Sequence, residues 1–146
     1  IEIIEKDMQV FFDLKKPTIG VLGLNPHAGE EGLLGKEELL IIEPTIEYLR
    51  KKNKNIIGPI SADTAFLQNL DLDIILALYH DQGLPLFKFV NPHQAANVTL
   101  GLPIIRTSVD HGIALDLTAS NNVNNESLHY ALMTAKKMYQ SYAEKN

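Results

Sequence analysis

An α/β fold is what the sequence predicts. Short apolar runs rich in β-branched residues recur along the chain, and segments of helical spacing lie between them. Glycine and proline punctuate the junctions. No repeat, linker or low-complexity tract interrupts the pattern, so residues 1–146 read as a single α/β domain.

Ile1, Ile4, Met8, Phe11 and Phe12 recur at near-helical spacing, which predicts an amphipathic helix within residues 1–14. Pro17 ends that stretch. TIGVLGL (18–24) is expected to be a buried strand, opening into the loop NPHAGEEGLLG (25–35). Gly20, Gly23, Gly29, Gly32 and Gly35 crowd this region, as a loop needing unusual backbone angles or close approach would require. Residues 36–53 look helical, with Pro44 suited to the first turn of a helix ending near Lys52. NIIGPI (55–60) reads as a strand and SADTAFLQNL (61–70) as a short helix. DIILALY (73–79) is the most strand-like run, followed directly by HDQGLPLFKFV (80–90). NVTLGLP and IIRTSVD (97–110) give two short extended pieces. SNNVNNES (120–127) is a polar loop before a final helix, about Asn125 to Ala143. In that helix Leu128, Leu132, Ala135, Met138 or Tyr139, and Tyr142 share one face.

Composition narrows the function classes. The chain is 45% hydrophobic and 21% charged, with a net charge of −5, which suits an ordinary globular domain. An acidic chain without a dense Lys/Arg stripe argues against nucleic acid as a partner. No apolar run approaches the ~18 residues of a membrane helix. The absence of cysteine removes disulfides, thiolate metal sites and cysteine nucleophiles, and is compatible with a cytoplasmic location. The N-terminus lacks the pattern of a signal peptide, and its first residue, Ile1, suggests a fragment or processed chain.

Three groups of residues bear on chemistry. His27 and His80 each follow a predicted strand, where open α/β sheets place their ligand sites. Each has a carboxylate nearby, Glu30 and Asp81, and Asp63 follows a third strand. Neutral imidazoles with a carboxylate suit a divalent transition metal. The plainer alternative is a pair of capped loop histidines, about equally good on these grounds. Lys88, Asn97 and Arg106 lie in or beside apolar segments, where an anionic substrate would explain the charges; snorkelling or an internal ion pair is the competing explanation. The third group is SVDHGIALDLTAS (108–120), which could wrap a nucleotide or simply turn the chain. No GxGxxG, GK[ST] or GxSxG motif is present, which leaves a Rossmann phosphate loop, a P-loop and a hydrolase elbow unsupported.

Four segments taken in order, LNPHAGEEGLLG (24–35), GPISADTAF (58–66), YHDQGLPLFKF (79–89) and NVTLGLPIIRTSVDHGIALDL (97–117), resemble the 4-hydroxythreonine-4-phosphate dehydrogenase family. The similarity runs through most of residues 17–119. It implies a layered α/β/α protein related to the isocitrate and isopropylmalate dehydrogenases, of which roughly the N-terminal half is missing here. It also implies a cytoplasmic homodimer with shared active sites. His27 and His80 match metal ligands, a third histidine lying upstream of residue 1. Asp63 matches an acidic position in or beside the metal shell. Lys88, Asn97 and Arg106 match substrate-binding positions, and His111, Gly112 and Asp116 a loop near NAD. Between Lys88 and Asn97 the family has a glycine-rich stretch where this chain reads FVNPHQAA, and TASNN replaces the usual Ala-Gly after Asp116.

The implied reaction is NAD-dependent oxidation of 4-phosphooxy-L-threonine at C3, with loss of CO2 to give 3-amino-2-oxopropyl phosphate in pyridoxal phosphate biosynthesis. A divalent metal (zinc, cobalt, manganese or magnesium) acidifies the hydroxyl. Asp63 or a metal-linked water takes the proton. Two other readings stand beside it: a paralogous dehydrogenase of another phosphorylated hydroxy acid, and an isolated domain that catalyses nothing. With one metal ligand absent, the chain alone is expected to be inactive.

Overall fold

The computed structural model describes residues 1–112 and 124–145. It divides into two compact units, Lys16–Phe87 and a second formed by both ends of the chain, Ile1–Lys15 with Lys88–Asn146.

The 16–87 unit is built on a parallel sheet of β1 (Ile19–Leu22), β2 (Ile56–Ile60) and β3 (Ile74–Leu76), in the order β2-β1-β3. β1 is buried along its whole length, as expected of a central parallel strand made of Ile, Val and Leu. It pairs Ile19 with Ile56 on one side and with Ile74 on the other. Leu22, Ile60 and Ala65 form the centre of the core, with Ile57, Leu72 and Ile75 packed around them. Burying each large aliphatic side chain is worth about 1.5–3 kcal/mol. Gly58 lets β2 approach β1: its φ is +146°, and a Cβ there would lie 2.5 Å from the Val21 carbonyl oxygen.

The crossover from β1 to β2 holds α2 (Glu43–Lys51), whose first turn contains Pro44 as the sequence predicts. A π-helical turn, Glu38–Ile42, leads into it. Between β2 and β3 the structure departs from expectation. Residues 61–70 form a series of turns, not a short helix. The Ser61 hydroxyl, which could otherwise cap a helix start, bonds to the Pro26 carbonyl and to Asp63. β3 is also shorter than the apolar run 73–79, because the Leu78 and Tyr79 N–H groups leave the ladder to donate to the Gln82 side chain. A single 3-10 turn, His80–Gln82, follows, and then α3 (Leu84–Val90), within which the two units divide.

In the second unit, α1 (Glu2–Phe12) packs on α4 (Glu126–Ala143). Lys145 closes the pair, lying 2.6 Å from the Asp13 carboxylate and donating to the Gln9 carbonyl. The antiparallel pair β4 (Asn97–Val98) and β5 (Thr107–Ser108) supplies the extended pieces expected within 97–110. The Thr107 hydroxyl donates to the Ala131 carbonyl of α4 at 3.0 Å, and buried Asp7 accepts the Gly101 N–H at 2.6 Å. The Glu126 N–H donates to the Asn124 side chain at 2.7 Å, while the N-cap residue, Asn125, makes no side-chain capping bond. The inward face of α4 is only in part the one its apolar spacing suggests: Met138 is buried and Tyr142 meets the Phe11 ring of α1. Ala131 and Met138 are buried, while Leu128, Leu132 and Tyr139 are more than half exposed. The Ala131 carbonyl accepts a hydrogen bond from β5, and close approach there favours a small residue.

No helix among the described residues is long and apolar enough to cross a membrane.

Candidate active site

Parallel strands deliver their following loops to one edge of the sheet. The segments after β1, β2 and β3 carry His27, Asp63 and His80 in turn. The chain passes from β1 to β2 on one flank and returns to β3 on the other. The reversal of strand order, where open α/β sheets form a ligand crevice, therefore lies between β1 and β3.

The His27 loop is held from within. Asn25 Oδ1 accepts the His27 and Gly29 N–H groups at 3.0 and 3.1 Å, and its amide donates to the Leu34 carbonyl at 3.0 Å. Beneath the loop, the buried Glu38 accepts the Leu24 N–H through Oε1 at 2.8 Å. Its Oε2 is buried with no hydrogen-bond partner in the described structure. Gly29 has φ +77°, and a Cβ there would come 2.8 Å from this oxygen. The glycine crowding in the sequence thus reflects both left-handed backbone and a carboxylate packed against it. His27 Nδ1 lies 3.1 Å from Glu30 Oε1, with both side chains about half exposed. That pairing favours the tautomer that leaves Nε2 free as a ligand.

Asp63 faces this loop across the sheet edge. Its N–H donates to the Pro26 carbonyl at 3.5 Å. The Ser61 hydroxyl, 2.6 Å from that same carbonyl and 2.5 Å from Asp63 Oδ1, shares its one proton between them. The hydrogen bond from Ser61 holds the exposed Asp63 carboxyl below the ordinary value of 3.8, with a smaller lowering from His27. This favours the ionised form of Asp63.

His80 opens the 3-10 turn after β3, exposed at the mouth of a cavity of about 770 Å³ lined by Phe66, Leu72, Ile75, Leu84 and Phe87. Two residues on, the Gln82 side chain bonds to Leu78 N–H, Tyr79 N–H and the Gly23 carbonyl. Two imidazoles with a free ring nitrogen and an ionised carboxylate on neighbouring loops fit a divalent transition metal as a partial donor set. Among the described residues no three His, Asp or Glu gather into a complete metal site.

The remaining candidates belong to the second unit. Lys88, exposed on α3, donates to the Asp110 carbonyl at 2.8 Å, with the Asp110 carboxylate at 3.9 Å. Part of the internal-partner explanation for its charge therefore holds. Asn97 is exposed on β4 opposite Ser108. Arg106 is exposed and gives one guanidinium nitrogen to the Thr99 hydroxyl at 2.7 Å, leaving its other donors for a ligand. These three are grouped by the β4–β5 pair and the Lys88–Asp110 contact. His111 Nδ1 lies 2.9 Å from the Gly112 carbonyl, and a Cβ at Gly112 would meet nothing within 4 Å. Asp116 lies outside the described residues.

Asn25, Glu38 and Gln82 did not stand out in the sequence. Only Asn25 carried a signal, an Asn-Pro pair at the start of a loop.

Residues 1–135 match the family described as pyridoxal phosphate biosynthetic protein PdxA. The 4-hydroxythreonine-4-phosphate dehydrogenase of Ectopseudomonas mendocina is 57% identical over 93% of this chain, which covers 41% of that protein. The corresponding enzyme of Pseudomonas aeruginosa is 53% identical, with 93% of this chain and 42% of that protein covered. The crystal structure of the Klebsiella pneumoniae 4-hydroxythreonine-4-phosphate dehydrogenase superposes with a TM-score of 0.77 at 36% identity, over 97% of this chain and 42% of the other. A terephthalate 1,2-cis-dihydrodiol dehydrogenase from Burkholderia xenovorans LB400 gives 0.70 at 30% identity, over 92% and 43%. The chain thus spans well under half the length of the relatives it matches. The match through residue 135, together with a parallel α/β sheet that presents the histidine-bearing loops at one edge, places this chain in the PdxA family of pyridoxal phosphate biosynthetic proteins.

Proposed function

We propose that this chain forms part of a metal- and NAD-dependent dehydrogenase. The reaction is oxidation of 4-phosphooxy-L-threonine at C3 with loss of CO2, giving 3-amino-2-oxopropyl phosphate. The observation that carries the reading is the placement of His27, Asp63 and His80 on three loops at one sheet edge, in a chain of this family. The whole protein is read as a layered α/β/α enzyme related to the isocitrate and isopropylmalate dehydrogenases, a cytoplasmic homodimer with shared active sites.

When bound, a divalent metal would supply Lewis acidity at the substrate hydroxyl and NAD would supply the hydride acceptor. His27 and His80 would hold the metal, and zinc, cobalt, manganese and magnesium are all candidates. Asp63, hydrogen-bonded by Ser61 beside the His27 loop, is the residue placed to accept the hydroxyl proton, directly or through a metal-linked water. Lys88, Asn97 and Arg106 grip the phosphate or carboxylate of the substrate. His111, Gly112 and Asp116 lie against the nucleotide.

The test uses the full-length protein. NADH formation from 4-phosphooxy-L-threonine is expected, abolished by a chelator and by His27→Ala or His80→Ala, with bound metal falling in both variants. Undiminished turnover in both variants would sink the assignment of the histidines. The likeness to a cis-dihydrodiol dehydrogenase favours a second reading, a paralogue acting on another hydroxy substrate. A substrate panel including other phosphorylated hydroxy acids separates the two. An isolated domain without catalysis would bind the metal without turning over any member of the panel.

A further inference from the structure

The backbone ladder between β1 and β3 ends at Val21 and Leu76. Beyond it, the two chain ends are joined by a side chain. Gln82 Nε2 donates to the Gly23 carbonyl at 2.7 Å. Its Oε1 accepts the Leu78 and Tyr79 N–H groups at 2.7 and 3.0 Å. The orientation of this amide is fixed by its partners, because the reverse would set an NH2 group against two N–H donors. A primary amide presents the same donor and acceptor as a peptide unit. Gln82 is thus an inserted rung: it takes the N–H of Leu78, which would otherwise be free to continue the ladder, and returns a donor to β1. The two strand ends are spread by the width of one amide at the point where strand order reverses. Gly23 lies four residues before His27, and Gln82 two residues after His80.

We propose that Gln82 is a positioning residue, an amide wedge that fixes the separation of the His27 and His80 loops and so the spacing of the two imidazoles. The proposal rests on the metal reading above. It concerns the link between the loops, not the ligands themselves.

Gln82→Glu is the informative change in the full-length protein. A carboxylate can still accept the Leu78 and Tyr79 N–H groups, but it turns an oxygen toward the Gly23 carbonyl in place of a donor. Co2+ titration of the metal-free protein reads affinity, the ligand-field absorption reads geometry, and thermal unfolding without metal reads stability. The expected result is Co2+ binding weakened about ten- to a hundredfold with an altered spectrum, the scale seen when outer-shell partners of a metal site are lost. Gln82→Met, similar in length and without polar ends, should act in the same direction and decides the matter where Gln82→Glu does not fold. A lower melting temperature with parental affinity and spectrum overturns the proposal and leaves Gln82 a purely structural residue. Co2+ binding in His27→Ala equal to that of the parent removes the metal reading itself, and this proposal with it.

Discussion

The Asp63 carboxyl is held below its ordinary value chiefly by one neighbour. The Ser61 hydroxyl bonds to its carboxylate and to the Pro26 carbonyl, so one side chain sets a charge and also ties two loops together. Ser61→Ala should bring the Asp63 carboxyl back up toward 3.8, followed by NMR titration of the side-chain carbon. An unmoved titration would show that the hydrogen bond does not govern the charge. The sign of the linkage is that of a depressed acid: the contribution to stability is present above the unfolded pKa and is lost as pH falls through the lower, folded one. Loss of the Pro26 bond should add about 1 kcal/mol of destabilisation. At this scale the sequence made the candidate site residues visible, because a histidine or aspartate just after a strand stands out in any open α/β pattern. It hid the residues that hold them. Gln82 bonds to backbone groups, one of them 59 positions away, and a backbone group has no letter in a sequence. Glu38 reads as one more acid in a charged stretch, yet it is buried beneath Gly29.

Elements follow the apolar periodicity where burial is complete and depart from it where a side chain competes for the backbone. β1 and β2 fall within their predicted runs because each is held by ladder partners. β3 stops early under the pull of Gln82, and 61–70 stays in turns because Ser61 and Asp63 look back to the Pro26 carbonyl. In α4 the periodicity located the helix but only part of its inward face. An apolar stripe predicts burial without saying against what, and Leu128 and Leu132 point outward. The sheet supplies the sharpest test at this scale. Gly58→Ala would drive a Cβ into the Val21 carbonyl, an obstacle of backbone that cannot rotate away. The expected cost is on the order of 2–4 kcal/mol, from overpacking and from an unfavourable φ. A urea midpoint equal to the parent's would show that β2 can shift from β1 freely.

Across the molecule, large apolar side chains stand in the open. Leu33 is 83% exposed, Leu40 70% and Leu132 61%. Where such side chains adjoin, they favour contact with other protein over contact with water. The 146-residue chain expressed alone is therefore expected to self-associate, giving species heavier than 16.3 kDa in sedimentation velocity. A monodisperse monomer at micromolar concentration would contradict this. The α/β class was legible from the alternation of elements. The division into two units was not, because it depends on the two ends of the chain meeting, and periodicity carries no information about distant partners.

That meeting of the ends bears on how the protein is made. Gln9 and Lys145 are bonded to each other but lie 136 positions apart, with all of residues 16–87 between them. On a translating ribosome, α1 precedes the 16–87 segment and finds no docking surface on α4 until that segment and the residues after it have followed. The 16–87 segment, whose strands pair within its own length, has everything it needs to collapse first. Until α4 follows, α1 is a waiting partner, its apolar face open to chaperones or to neighbouring nascent chains.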